Sequence, residues 1–266
     1  MSSTPSPAPA PLVKNRAGTS RRLRWVLWAV LLGCGWSYLG TALRYPNRMF
    51  SQEPQGYYGL LAAGFLRGHL YAAITPHPAL LALKDPYDPV ANAPYRVHDM
   101  TLWQGRYYLY FGAAPELIWF VPVKLLTGSY PSEAGAVALF IFGGVGAGAL
   151  LLAAMRRRYY PEAPAWTLVA GVVCLGIANP ITLLTQAPQF YQVPISGAFF
   201  LLMLTLVAIV RALHAARGAL VWLAVASLAF GLSVGARPNY VLSGFALCVP
   251  VAWLAWRRRR PLWSLA

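Results

Sequence analysis

The chain has 266 residues, of which 58% are hydrophobic and only 11% charged, and it carries a formal net charge of +15. One soluble core does not account for several separate, nearly charge-free runs that approach the ~20 residues needed to cross a bilayer. Basic residues clustered at the ends of such runs report membrane orientation rather than a phosphate footprint, which argues against nucleic acid as a partner.

In chain order, residues 1–24 read as a disordered, basic cytoplasmic tail rich in Ser, Thr, Pro and Ala. The span that follows, 25–42, resembles an uncleaved signal anchor: its apolar run is longer than that of a signal peptide, and no small-x-small site follows. Further spans are predicted at 134–155, 166–184, 195–210, 220–234 and 241–256, which makes six crossings, and 257–266 is a basic cytoplasmic end. The fold class is all-α, a polytopic transmembrane helical bundle with a large extracytoplasmic first loop, 44–131, that contains amphipathic juxtamembrane helices. The transmembrane domain runs from 25 to 256.

The run 113–126 is ambiguous, because it is shorter than a span and carries Pro115, Glu116, Pro122 and Lys124. If it stays in the outer interface, fourteen basic residues and one acid, Glu162, fall on one side of the membrane and eight basic with six acidic residues on the other. If it spans, the later clusters change sides. The first sorting puts both termini in the cytoplasm and the 44–131 loop outside. Cys34, Cys174 and Cys248 lie inside predicted spans without disulfide or zinc spacing and are assigned to packing. No nucleotide, nicotinamide, serine-hydrolase or zinc-protease motif is present, and the spans lack the midplane acids of a coupled transporter.

The stretch 44–112 holds four of the seven carboxylates and three of the four histidines. Leu60, Leu61, Gly64 and Phe65 fall at helical spacing and predict a short amphipathic helix over about 55–67, with Glu53 just ahead of its first turn. In Asp85-Pro-Tyr-Asp88-Pro the Asp-Pro pairs start turns. Gln104-Gly105, between Met-Thr-Leu-Trp and Arg-Tyr-Tyr-Leu-Tyr, predicts a hairpin preceded by His98 and Asp99. Aromatics at this density serve interfacial anchoring or stacking against sugar faces, and composition does not separate the two.

Glu53-Pro-Gln-Gly-Tyr57, Leu-Leu-Ala62 and Gly68-His-Leu-Tyr resemble the first outer loop of the GT-C membrane glycosyltransferases, such as protein mannosyltransferases and lipid A aminoarabinose transferases. Tyr110-Phe-Gly-Ala-Ala-Pro-Glu-Leu looks like their second loop helix, and Gly235-Ala-Arg-Pro-Asn239 is similar to uncharacterised bacterial members. The resemblance covers roughly 25–256. It departs from the family in two ways: Gln52-Glu53 stands where an Asp-led pair is usual, and the chain stops after six spans, so it reads as a truncated or split form.

The resemblance implies a sugar donor carried on polyprenyl phosphate, a glycan, lipid or protein acceptor, and a place in the bacterial inner membrane. Glu53 and Asp99 would be the catalytic carboxylates, one of them taking the acceptor's proton. Arg106, Arg237 and Asn239 would hold the donor phosphate, and Tyr57, Tyr58, His98, Tyr107 and Tyr108 would line the substrate. No metal ligand set is assigned; a divalent cation on Asp85, Asp88 or Asp99 stays open, since spacing does not bring these acids together. The competing classes are a non-catalytic protein that binds lipid-linked sugars and a transporter of them.

Overall fold

The computed structural model describes residues 21–44, 49–177, 184, 190–215 and 217–258. Most of the predicted tail, the end of the predicted third span and the last eight residues lie outside these. Among the described residues, four helices are long and apolar enough to cross a membrane: α1 (Arg21–Leu43), α5 (Glu133–Tyr159), α7 (Gln192–His214) and α8 (Ala219–Ala236).

Helix α5 is the hub, packing on α1, on α6 (Ala165–Ile177) and on α7, which in turn pairs with α8. Its glycines allow this. Gly143 and Gly144 leave room for the rings of Phe200 and Phe199 on α7, so the two backbones approach closely, as small residues permit between apolar helices. The buried Tyr38 hydroxyl donates to the carbonyl of Gly176 at 2.7 Å and ties α1 to α6.

Six crossings were expected. The third is described only to Ile177, as the 13-residue α6, and the rest of it lies outside the described residues apart from residue 184. The sixth divides into a 3₁₀ turn (Pro238–Gly244), which Pro238 opens, and the 14-residue α9 (Phe245–Arg258), which runs through Pro250. The ambiguous run is a π turn (Glu116–Phe120) continuing into α4 (Val121–Thr127), together too short to cross a bilayer. Of the cysteines assigned to packing, Cys34 is buried against Gly176, whereas Cys174 and Cys248 face outward.

The segment between α1 and α5 is a closed excursion. Strand β1 (Phe50–Ser51) pairs antiparallel with β4 (Tyr130–Pro131), and the Ser132 N–H donates to the Met49 carbonyl at 2.9 Å, so the segment is pinched at its neck. Inside it lie α2 (Gly56–Leu66), the short α3 (Pro78–Leu81) and the hairpin of β2 (Met100–Trp103) and β3 (Arg106–Leu109). The hairpin turn is the expected Gln104-Gly105, both at positive φ (47° and 69°), as a two-residue primed turn demands.

Helix α2 corrects the expectation of an amphipathic juxtamembrane helix. Tyr58, Gly59 and Leu61 through Gly64 are all buried, because the π turn, α4 and α5 cover it. The Ala72 N–H donates to the Tyr107 carbonyl and the Ala73 N–H to the Leu60 carbonyl, both at 2.9 Å, lashing the hairpin and α2 together. Gly112 packs so closely on the Gly235 carbonyl that no side chain fits there, which seats the excursion on the end of α8.

Candidate functional site

The first turn of α2 places Tyr57 and Tyr58 between two groups of polar side chains. Its N-terminal N–H groups have no partner within the helix. Glu133, the first residue of α5, supplies one: its Oε1 accepts the Tyr58 N–H at 3.1 Å. The carboxyl fills the space beside Gly56, where a methyl group would lie 2.5 Å from it.

On the outer side, Asp99 has φ 58°, a left-handed conformation that Asp tolerates better than most residues. Its Oδ2 lies 3.1 Å from Nε2 of the exposed His98, an ion pair when that imidazole is protonated. The Tyr57 hydroxyl donates to the His98 carbonyl at 2.8 Å. Tyr57 and Tyr191 stand beside the carboxylate and belong to an aromatic cluster with Tyr110, Phe111 and Phe190, with ring centroids 4.3 Å apart for Tyr57 and Phe190 and 5.2 Å for Phe111 and Tyr191. The hydrogen bond with Tyr110 first, and the neighbouring Asp99 carboxylate next, push the Tyr191 phenol above its ordinary value. Tyr57 is raised too, first by burial and then by the Asp99 and Glu133 charges. A cavity of about 350 Å³ opens beside Asp99, lined among others by Asn92, Arg96, His98 and Tyr107.

On the inner side, Glu116 is fully buried and neither of its oxygens has a hydrogen-bond partner among the described residues. The Ala62 backbone approaches it without forming a bond of good geometry. Burial first, and the neighbouring Glu133 second, hold this carboxyl well above the usual range. The Tyr58 ring stacks on Phe120 at 5.4 Å, yet its hydroxyl has no described partner, nor has the buried Nη1 of Arg237. The Arg237 charge opposes the upward shift that burial, Glu116 and Glu133 give Tyr58.

The expected site residues therefore divide. Tyr57, His98 and Asp99 come together, and Tyr58 and Arg237 share the inner group. Glu53 is exposed, and the helix-start position expected for it is taken by Glu133. Gln52 donates to the Ser129 hydroxyl at 3.1 Å. Arg106 lies 4.3 Å over the Tyr71 ring, with Tyr108 packed on the same ring, and Asn239 is exposed in the 3₁₀ turn. Tyr107 is buried, its hydroxyl accepting the Val97 N–H at 3.1 Å. Asp85 and Asp88 accept the N–H groups of Tyr87 and Val90, both at 2.9 Å, as turn residues do. Among the described residues no three His, Cys, Asp or Glu side chains gather to hold a metal.

Sequence reasoning missed Glu116 and Glu133 as site members, along with Tyr110, Phe111, Phe190 and Tyr191. An acid one residue after the helix-capping Ser132, at the head of an apolar run, was the available signal for Glu133. An apolar groove of about 500 Å³ between α1 and α5 completes the arrangement, lined by Trp36, Leu39, Phe50, Trp119, Leu139 and Phe142 among others. What is defined is a helical chain with, among the described residues, four potential membrane spans, and a closed excursion that sets the Asp99 carboxylate beside Tyr57 and Tyr191. Scans of protein-family models, curated proteins and solved structures find no match to the chain.

Proposed function

We propose that this is a multi-pass membrane protein of the GT-C glycosyltransferase kind, moving a sugar from a polyprenyl-phosphate donor to an extracytoplasmic acceptor. The observation that carries the reading is the placement of Asp99, a carboxylate beside Tyr57 and Tyr191 of an aromatic cluster and in the wall of a polar cavity. Aromatic faces stack on sugar rings, and a carboxylate at such a place can receive a proton.

In this reading the acceptor oxygen attacks the anomeric carbon, the bond from that carbon to the phosphate oxygen breaks, and its electron pair leaves with polyprenyl phosphate. Asp99 takes the acceptor's proton. Arg237, whose Nη1 has no described partner, offers a donor to the leaving phosphate. The apolar groove between α1 and α5 suits a polyprenyl chain. His98, with Nε2 3.1 Å from Oδ2, and Tyr191 stand beside the Asp99 carboxylate.

The test is reconstitution of the full chain with a panel of polyprenyl-phosphate hexoses and pentoses and a hydroxylated acceptor, following release of polyprenyl phosphate. Donor-dependent release with sugar gained by the acceptor is the expected result. Saturable binding without release would make the chain a lipid-linked-sugar binder instead, and passage of intact donor between leaflets would make it a transporter.

A further inference from the structure

Helix α5 leads away from the Asp99 site and ends in three consecutive arginines that do different things. Arg156 is committed: its Nε and Nη2 donate to the Ala163 carbonyl at 3.0 and 2.6 Å, holding the loop that follows. Arg157 and Arg158 instead line a cavity of about 450 Å³ together with Arg211 and His214 of α7 and Trp222 of α8. Ala154, Val210 and Ala215 complete the lining, so no acid stands in its wall.

We propose that this cavity binds the phosphate-bearing headgroup of an anionic glycerophospholipid. Three guanidinium groups facing one cavity without a carboxylate attract an anion, and their planar forks match phosphate oxygens. The surroundings are preset rather than loose. Arg211 lies 5.6 Å over the Trp222 ring, and His214 Nε2 is hydrogen-bonded to the Tyr159 hydroxyl at 2.8 Å.

The depth suits a lipid. Arg157 lies 24 residues beyond Glu133, roughly 36 Å along the helix, which sets the cavity at one headgroup layer when the neck of the excursion is at the other. On α8 the exposed Val221, Val225 and Leu228 form one stripe running from beside Trp222, a path for the acyl chains. The inference rests on the membrane placement proposed above and not on sugar transfer.

The test is native mass spectrometry of the full chain released from nanodiscs of equal phosphatidylglycerol and phosphatidylcholine. Wild-type protein is expected to retain the anionic lipid preferentially. Each arginine is worth about fivefold near a lipid phosphate, so Arg157→Gln/Arg211→Gln should lower that preference more than tenfold. Arg21→Gln/Arg24→Gln, at the basic start of α1, should leave it unchanged. If the double variant does not insert, Arg157→Gln alone, on the exposed last turn, should lower the preference about fivefold.

Equal preference in wild type and variant would overturn the proposal. So would saturable binding of inorganic pyrophosphate in discs of phosphatidylcholine alone, which would make the source a soluble phosphate. Correct insertion without anionic preference would reject the lipid site and leave the transferase reading standing.

Discussion

The Tyr58 backbone N–H donates to Oε1 of Glu133 at 3.1 Å, across 75 positions of sequence. Glu133 opens its own helix, yet Ser132 serves that helix by accepting the Gly135 N–H at 3.0 Å, which leaves the Glu133 carboxyl to cap α2. One residue thus fixes the turn that carries Tyr57, beside Asp99, and Tyr58, beside Arg237. Removing it should loosen both sides. Glu133→Ala is expected to lower stability by about 1–2 kcal/mol, the usual cost of a lost N-terminal cap, with Glu133→Gln costing less. Thermal unfolding in one detergent reads the difference.

Gly56 makes a sharper steric test. It has φ +65°, and an added methyl group would meet the Glu133 carboxyl at 2.5 Å. Gly56→Ala should therefore destabilise by about 1–3 kcal/mol through backbone strain and displacement of the cap together. Gly68→Ala is the control, since it shares a positive φ of 77° but opens into free space. Its smaller loss, read by the same unfolding curve, isolates the contact.

Glu116 should make stability depend on pH. Its folded-state pKa is held well above the ordinary 4.5 by burial and by Glu133. Above that ordinary value the unfolded chain has released the proton while the folded chain keeps it, so raising the pH favours unfolding. Glu116 alone should contribute a fall of about 1.4 kcal/mol per pH unit between the two values, levelling off once the folded carboxyl ionises. Glu116→Gln should flatten that slope, measured as unfolding midpoints from pH 5 upward. An unchanged slope would mean that the carboxyl is ionised within the fold.

Arg237→Gln offers a separate check on the phosphate role. Nη1 is buried without a described partner, so the guanidinium carries an unmet donor in the absence of ligand. The variant is expected to weaken polyprenyl-phosphate donor binding about tenfold, the worth of one charge-assisted hydrogen bond, while its unfolding midpoint holds or rises. Donor titration and thermal unfolding on the same sample give both readings.

What the sequence made legible was local. Gln104-Gly105 demands positive φ, so the hairpin was readable to the residue, and apolar runs long enough to span gave α1, α5, α7 and α8. Helix α2 was placed within a residue at each end, but its burial was not, because covering by α4 and α5 is a long-range fact that its own pattern cannot state. The site was half legible. Asp99 and His98 stood out as polar residues beside a turn, whereas Tyr191, which meets Asp99, and Phe190, which packs on Tyr57, come more than 90 positions later in the sequence. Glu116 was hidden for the opposite reason: read as an interfacial charge, it is buried by the fold that turns its segment inward.

The central claim is that Asp99 takes the acceptor's proton, and the rate of sugar transfer by Asp99→Asn in proteoliposomes tests it most directly. At equal expression and equal donor binding, the variant should be slower by about 10²- to 10⁴-fold, the worth of a positioned general base, while Glu53→Gln stays within about threefold of wild type. Transfer at the wild-type rate by Asp99→Asn would contradict the account.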